Sequence, residues 1–146
     1  MMNSIIYISL LFMTANSNIQ EVIKEFHELK TEQAEIQFIK KHKLSSDPSV
    51  LAYVVSIAMK QAEYSYNPYY KIKVFKTNRK RLNELVNSFK YNIHLRYVRL
   101  VAQENAPSIL GYHDFIEEDK AFLKQKLEQK DKTDYLDKYI KANTSL

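Results

Sequence analysis

Apolar positions recur at helical spacing along nearly the whole chain. Val22, Ile23, Phe26 and Leu29 share one face of a helix that Asn18 can cap, with Glu21 three residues on completing a capping box. Thr31 interrupts or bends this helix, and Ala34, Ile36, Phe38 and Ile39 carry the pattern to about His42. Ser46-Asp47-Pro48 joins a capping side chain to a proline in the first turn, a strong helix start. Leu51, Val54, Val55, Ala58, Met59 and Ala62 then form a clear stripe. Asn67-Pro68 ends that helix and opens another, because the residue before proline avoids the α region.

The spacing predicts a short helix over 68–75 with Tyr70, Val74 and Phe75 directed at the core, and Thr77-Asn78 as a turn. Leu82, Leu85, Val86 and Phe89 follow at helical intervals, and Asn92 caps a helix over 93–105 that Pro107 closes. Leu110-Gly111 reads as a short helical turn with a glycine stop. Asp114 and Glu117 make a second capping box before Phe115, Phe122, Leu123 and Leu127. Thr133 starts a last short helix carrying Tyr135, Leu136, Tyr139 and Ile140, after which residues 142–146 fray. The expected fold is all-α: about seven short helices in a compact irregular bundle or helical-hairpin array, after an N-terminal signal-like segment. No self-similar repeat supports a solenoid.

Composition narrows the chemistry. The 146 residues include one glycine, Gly111, which excludes Gly-rich phosphate loops and disfavours hairpin-rich β folds. Cysteine is absent, so disulfides, thiolate metal sites and a Cys nucleophile are excluded. The first 20 residues carry no charged side chain, and residues 5–13 are an apolar run too short to span a bilayer. With the small residues at 14–17, the run reads as a signal peptide cleaved after Ala15 or Ser17, although its n-region lacks Lys and Arg. The competing reading is a first core helix of a cytoplasmic protein. Residues 1–17 are thus assigned to a signal peptide and 18–146 to a single helical domain, located in the periplasm or cell envelope.

Charge is uneven within a formal net of +5: residues 60–101 hold ten Lys/Arg against two acids. Tyr69, Tyr70, Lys71, Lys73, Lys76, Arg79, Lys80 and Arg81 interleave cations with rings in this stretch. Such a face can contact an acidic protein or an anionic lipid surface, or nucleic acid through phosphates and stacked bases. Export disfavours nucleic acid. The plain alternative is a solvated helix face.

Asn92, Arg96, Arg99 and Gln103 fall on one side of a helix that is apolar over most of its remaining circumference. Such a helix should be central, and its arginines then need partners, for which Asp114, Glu117, Glu118 and Asp119 are near in sequence. The result is either an internal ion-pair seam of Arg96, Arg99, Gln103, Glu118 and Asp119 or a two-arginine anion pocket. Residues 95–100 (Leu-Arg-Tyr-Val-Arg-Leu), Gln103, Pro107, Leu110-Gly111-Tyr112 and Asp119-Lys120 resemble a segment shared by small exported helical proteins of Bacteroidetes that carry no known activity. The resemblance covers roughly residues 50 to 125 and implies an exported helical protein of a Gram-negative envelope, with no catalytic residues.

His27, His42, His94 and His113 stand in no tight ligand spacing. The pairs His113/Glu117 and Asp114/Glu118 lack a convergent third ligand. No nucleophile elbow is possible with one glycine, and no cofactor motif is found. The expected function is that of an exported, non-enzymatic interaction protein of the bacterial envelope, using the basic, Tyr-rich face on an acidic protein or anionic lipid. The alternative is a cytoplasmic nucleic-acid-binding protein using the same face, and a small-ligand binder centred on Arg96 and Arg99 ranks last.

Overall fold

The computed structural model describes residues 18–146; the signal-like segment 1–17 lies outside the described residues. Among the described residues, seven α-helices form the fold: α1 (Ile19–Glu28), α2 (Glu32–His42), α3 (Pro48–Lys60), α4 (Pro68–Ser88), α5 (Ile93–Asn105), α6 (Ile116–Leu127) and α7 (Asp137–Asn143). Short 3-10 turns lie at Gln61–Tyr64, Ser108–Leu110 and Asp134–Leu136. Among the described residues there is no strand, and no helix is long and apolar enough to cross a membrane.

Short polar side chains set the helix starts. Asn18 accepts from the Gln20 N–H, Thr31 from Ala34, Asp47 from Ser49, Asn67 from Tyr69 and Tyr70, and Asn92 from His94 and Leu95. Each such cap contributes about 1 kcal/mol by satisfying amides that the helix leaves open. Thr31 is therefore a new helix start and not a bend.

Three expectations are corrected. Residues 68–88 form one continuous 21-residue helix, α4, with no turn at Thr77-Asn78. The Asn78 amide donates back to the Val74 carbonyl at 2.9 Å, so the residue sits inside the helix ladder instead of breaking it. Asp114 does not cap α6: the helix begins after Phe115 with no side-chain cap, and the Phe115 N–H donates across to Gln103 Oε1 at 2.8 Å. The C-terminus is held down, since Ser145 donates its N–H and hydroxyl to Glu104 and Leu146 packs against the core.

Helices α3 and α5 form the centre. α3 packs on α1, α2, α4 and α5, while α6 covers the other side of α5. Residues 93–100 of α5 are all buried, so this helix has no solvent face in its first two turns. Tyr53, Leu82, Leu95, Tyr97, Leu100, Leu123 and Ile140 fill the interior.

The polar atoms of these rings are paired. His94 lies between the hydroxyls of Tyr53 and Tyr135, each at 2.9 Å, and a neutral imidazole satisfies both by donating at one nitrogen and accepting at the other. Burial holds its pKa down at about 4 against a small opposing pull from Asp47. His27 meets the Tyr97 hydroxyl at 2.9 Å and stacks on Tyr139. Buried Glu35 receives Lys60 Nζ and Gln61 Nε2, both at 2.6 Å, and clamps α2 to the end of α3.

Candidate functional site

Helix α4 sorts the basic stretch into inner and outer residues. Phe75, Asn78, Leu82 and Val86 are buried against the fold. Tyr69, Lys73, Lys76 and Lys80, at spacings of four, three and four, lie along the opposite, solvent side. Tyr69 is 84% exposed, and Tyr66 just ahead of the helix is fully exposed. Tyr70 is 54% exposed and faces outward, contrary to the expectation that it enters the core. It sits in the first turn, ahead of Phe75, the first buried residue of the helix.

The cations of this stretch differ in what holds them. Lys80 lies 3.8 Å from Glu84 one turn on. Among the described residues, no salt bridge involves Lys71, Lys73 or Lys76. Arg81 is exposed and reaches Asn78 Oδ1 at 3.4 Å. Arg79 does not belong to the outer face. It is half-buried, donates to the Leu110 carbonyl at 3.2 Å, and lies 5.7 Å from the centre of the Tyr112 ring. Its role is to tie the 3-10 turn at Ser108–Leu110 to α4.

The second predicted constellation assembles as a closed seam between α5 and α6. Asp119, with no exposed surface, accepts both arms of the Arg99 fork, Nε and Nη2, at 2.7 Å each. Arg96 Nη1 adds a bond of 2.9 Å, and Gln103 Nε2 one of 3.1 Å. Arg96 also pairs with Glu118 and donates Nε to the Lys90 carbonyl at 3.0 Å. The hydrogen bond from Arg96 holds the Glu118 carboxyl below its ordinary range. Phe115 and Phe122 stack on the guanidiniums of Arg99 and Arg96. Both arginines are therefore occupied by carboxylates of the chain itself, Arg99 almost wholly out of solvent and Arg96 at the edge of the seam.

Of the other acids proposed as partners, Asp114 and Glu117 take no part in these bonds. His113 is exposed, and among the described residues no group of three or more His, Asp and Glu could hold a metal ion.

Packing creates a further feature that no single helix carries. The ends of α1, α3 and α5, the start of α4 and the 3-10 turns Gln61–Tyr64 and Ser108–Leu110 line an open apolar groove of about 760 Å³. Leu29, Ile57, Met59, Phe75, Ala102 and Leu110 contribute to its walls. Ile72, 42% exposed, and Ile109, 91% exposed, stand at its edge, and Lys60, Glu63 and Lys71 supply its charged groups. The available signal was in α4, where Pro68 and Ile72 form an apolar flank beside the buried stripe that Phe75 begins. Compared with protein-family models, curated proteins and solved structures, the chain matches none.

Proposed function

We propose that this chain is an exported, non-enzymatic helical interaction protein of the bacterial envelope, and that the outer face of α4 contacts an anionic surface, either an acidic protein or anionic lipid. The observation that carries this reading is the row Lys73, Lys76 and Lys80, with Tyr69 at its head and, among the described residues, one weak acid partner for the three lysines. Like charges at these intervals on one helix repel by a few tenths of a kcal/mol per pair. A partner bearing anions relieves that repulsion, and each lysine near an anionic membrane surface contributes roughly 1 kcal/mol of attraction. Exposed Tyr66, Tyr69 and Tyr70 beside the lysines supply rings suited to a membrane–water or protein interface. Export rests on the apolar run at 5–13 and the small residues at 14–17.

The test is co-sedimentation with vesicles of phosphatidylglycerol and of phosphatidylcholine over a salt series. The reading expects binding to the anionic vesicles alone, weakening steeply with salt. It expects the triple variant Lys73→Glu, Lys76→Glu, Lys80→Glu to stay folded and lose binding. Tighter binding to DNA than to anionic vesicles at the same salt would favour the cytoplasmic alternative. Intact mass of the protein from fractionated cells tests export, which predicts loss of the first 15 or 17 residues.

A further inference from the structure

We propose that the apolar groove binds the hydrocarbon chain of a long-chain fatty acid, with the carboxylate at the mouth beside Lys71. The inference goes beyond surface docking and rests on that reading only for the sign of the head group.

The first argument is size and lining. About 760 Å³ falls within the roughly 300–1,000 Å³ usual for sites that enclose a small molecule. The walls are largely aliphatic and aromatic, and the edge leaves Ile72 and Ile109 in water. Contiguous exposed apolar surface of this kind marks a place that something covers.

The second argument is that three polar side chains of the lining, Lys60, Asn105 and His27, already have internal partners. Lys60 Nζ is held by Glu35 at 2.6 Å. The Asn105 amide donates to the Val101 carbonyl at 2.8 Å, and His27 Nε2 faces the Tyr97 hydroxyl at 2.9 Å. An extended peptide laid in the groove would bury its own N–H and C=O groups with few free partners, at a cost of ~1–3 kcal/mol each. A hydrocarbon chain makes no such demand.

The third argument is charge. Lys71 lines the groove without a carboxylate partner among the described residues, and Lys73 and Lys76 add positive potential within two turns. The one acid in the lining is Glu63, which forms no salt bridge among the described residues. A second copy of this chain, with a formal net charge of +5, would bring like charge to the same mouth. An anionic head group is the complementary choice.

The experiment titrates the purified protein with palmitate below its micelle concentration, with hexadecanol and hexadecyltrimethylammonium as uncharged and cationic probes. Isothermal calorimetry gives affinity and native mass spectrometry gives stoichiometry. The proposal expects one palmitate per chain and weaker binding of both other probes. Lys71→Glu should weaken palmitate about tenfold, and Glu63→Gln should tighten it. Ile72→Glu, at a half-exposed site on α4, should abolish binding while the melting temperature is kept.

The lysine-row triple variant should lose anionic vesicles yet keep palmitate within a few-fold. That arm separates a failure of the groove from a failure of the docking face. Absence of saturable palmitate binding by the folded protein overturns the proposal. So does equal affinity for hexadecanol, or an Ile72→Glu variant that binds like the parent. A dimer of the parent that Ile72→Glu dissociates also overturns it, by assigning the groove to self-association.

Discussion

Replacing Asp119 with alanine should cost the fold about 4 kcal/mol, since breaking a buried ion pair from one side typically costs 3–5 kcal/mol. Four hydrogen bonds end on this carboxylate, three of them from guanidiniums. Arg96 keeps Glu118 and the Lys90 carbonyl after the change. Arg99 loses most, because it is 1% exposed, its two close bonds are those to Asp119, and the carboxylate that remains, Glu118, lies 3.8 Å away. Total stabilities are about 5–15 kcal/mol, so the loss would be a large part of the whole. At about 4 °C per kcal/mol for a chain of this size, the melting temperature should fall by about 15 °C. Urea unfolding and thermal melts, both followed by circular dichroism, measure the two quantities. Asp119→Asn should cost nearly as much, since the amide keeps the volume but turns a donor toward a cation.

The double variant Asp119→Leu, Arg99→Met is the control. It removes both charges together and should recover much of the loss, because an apolar pair of similar volume often matches a buried ion pair. A cost below about 1 kcal/mol for Asp119→Ala, or no recovery in the double variant, would refute the claim that the seam is buried and mutually neutralised.

Acid should weaken the fold through His94. Its folded pKa of about 4 lies below the ordinary 6.5, so the unfolded chain takes up the proton first as pH falls. The neutral ring's full contribution is present above about pH 6.5 and is lost progressively toward pH 4. At about 1.4 kcal/mol per unit, the loss is on the order of 3 kcal/mol. His27, also lowered by burial, acts in the same direction. His94→Gln should flatten melting temperature against pH in that window, and an unchanged profile would count against this account. Arg79→Met should lower stability by about 1 kcal/mol through the lost bond to the Leu110 carbonyl, yet leave vesicle binding intact, whereas the outer lysines should do the reverse. Gly111→Ala should cost about 1 kcal/mol. Gly111 has φ of +58° and open space where a side chain would stand, so the penalty is purely backbone and a melt should show it without loss of helix.

The seam was legible in sequence because four polar residues at four-, three- and four-residue intervals line one side of a helix apolar over most of its remaining circumference, and burial obliges the two arginines among them to find acids. The acid run at 117–119 stood near enough to answer them. Helix α4 was legible in its parts and not in its continuity. Thr77-Asn78 carries the composition of a turn, and only the bond from Asn78 to Val74 shows how the helix absorbs it. Arg79 could not be separated from its basic neighbours, since its partner is a carbonyl 31 residues away. The groove was hidden for a related reason. Its walls come from four helices and two 3-10 turns, and only their packing brings the start of α4 and the end of α5 to one groove.

The shared carboxylate at Asp119 also constrains how this sequence can change through time. Advancing α5 by one residue turns its polar edge by about 100° and takes all three donors away from Asp119, so the seam favours one register. Single substitutions at Arg99 or Asp119 pass through a stranded charge, while a paired exchange for apolar residues does not. Evolutionary drift at these two positions should therefore be concerted: a descendant with leucine or methionine in place of Arg99 should have lost the acid at 119 as well.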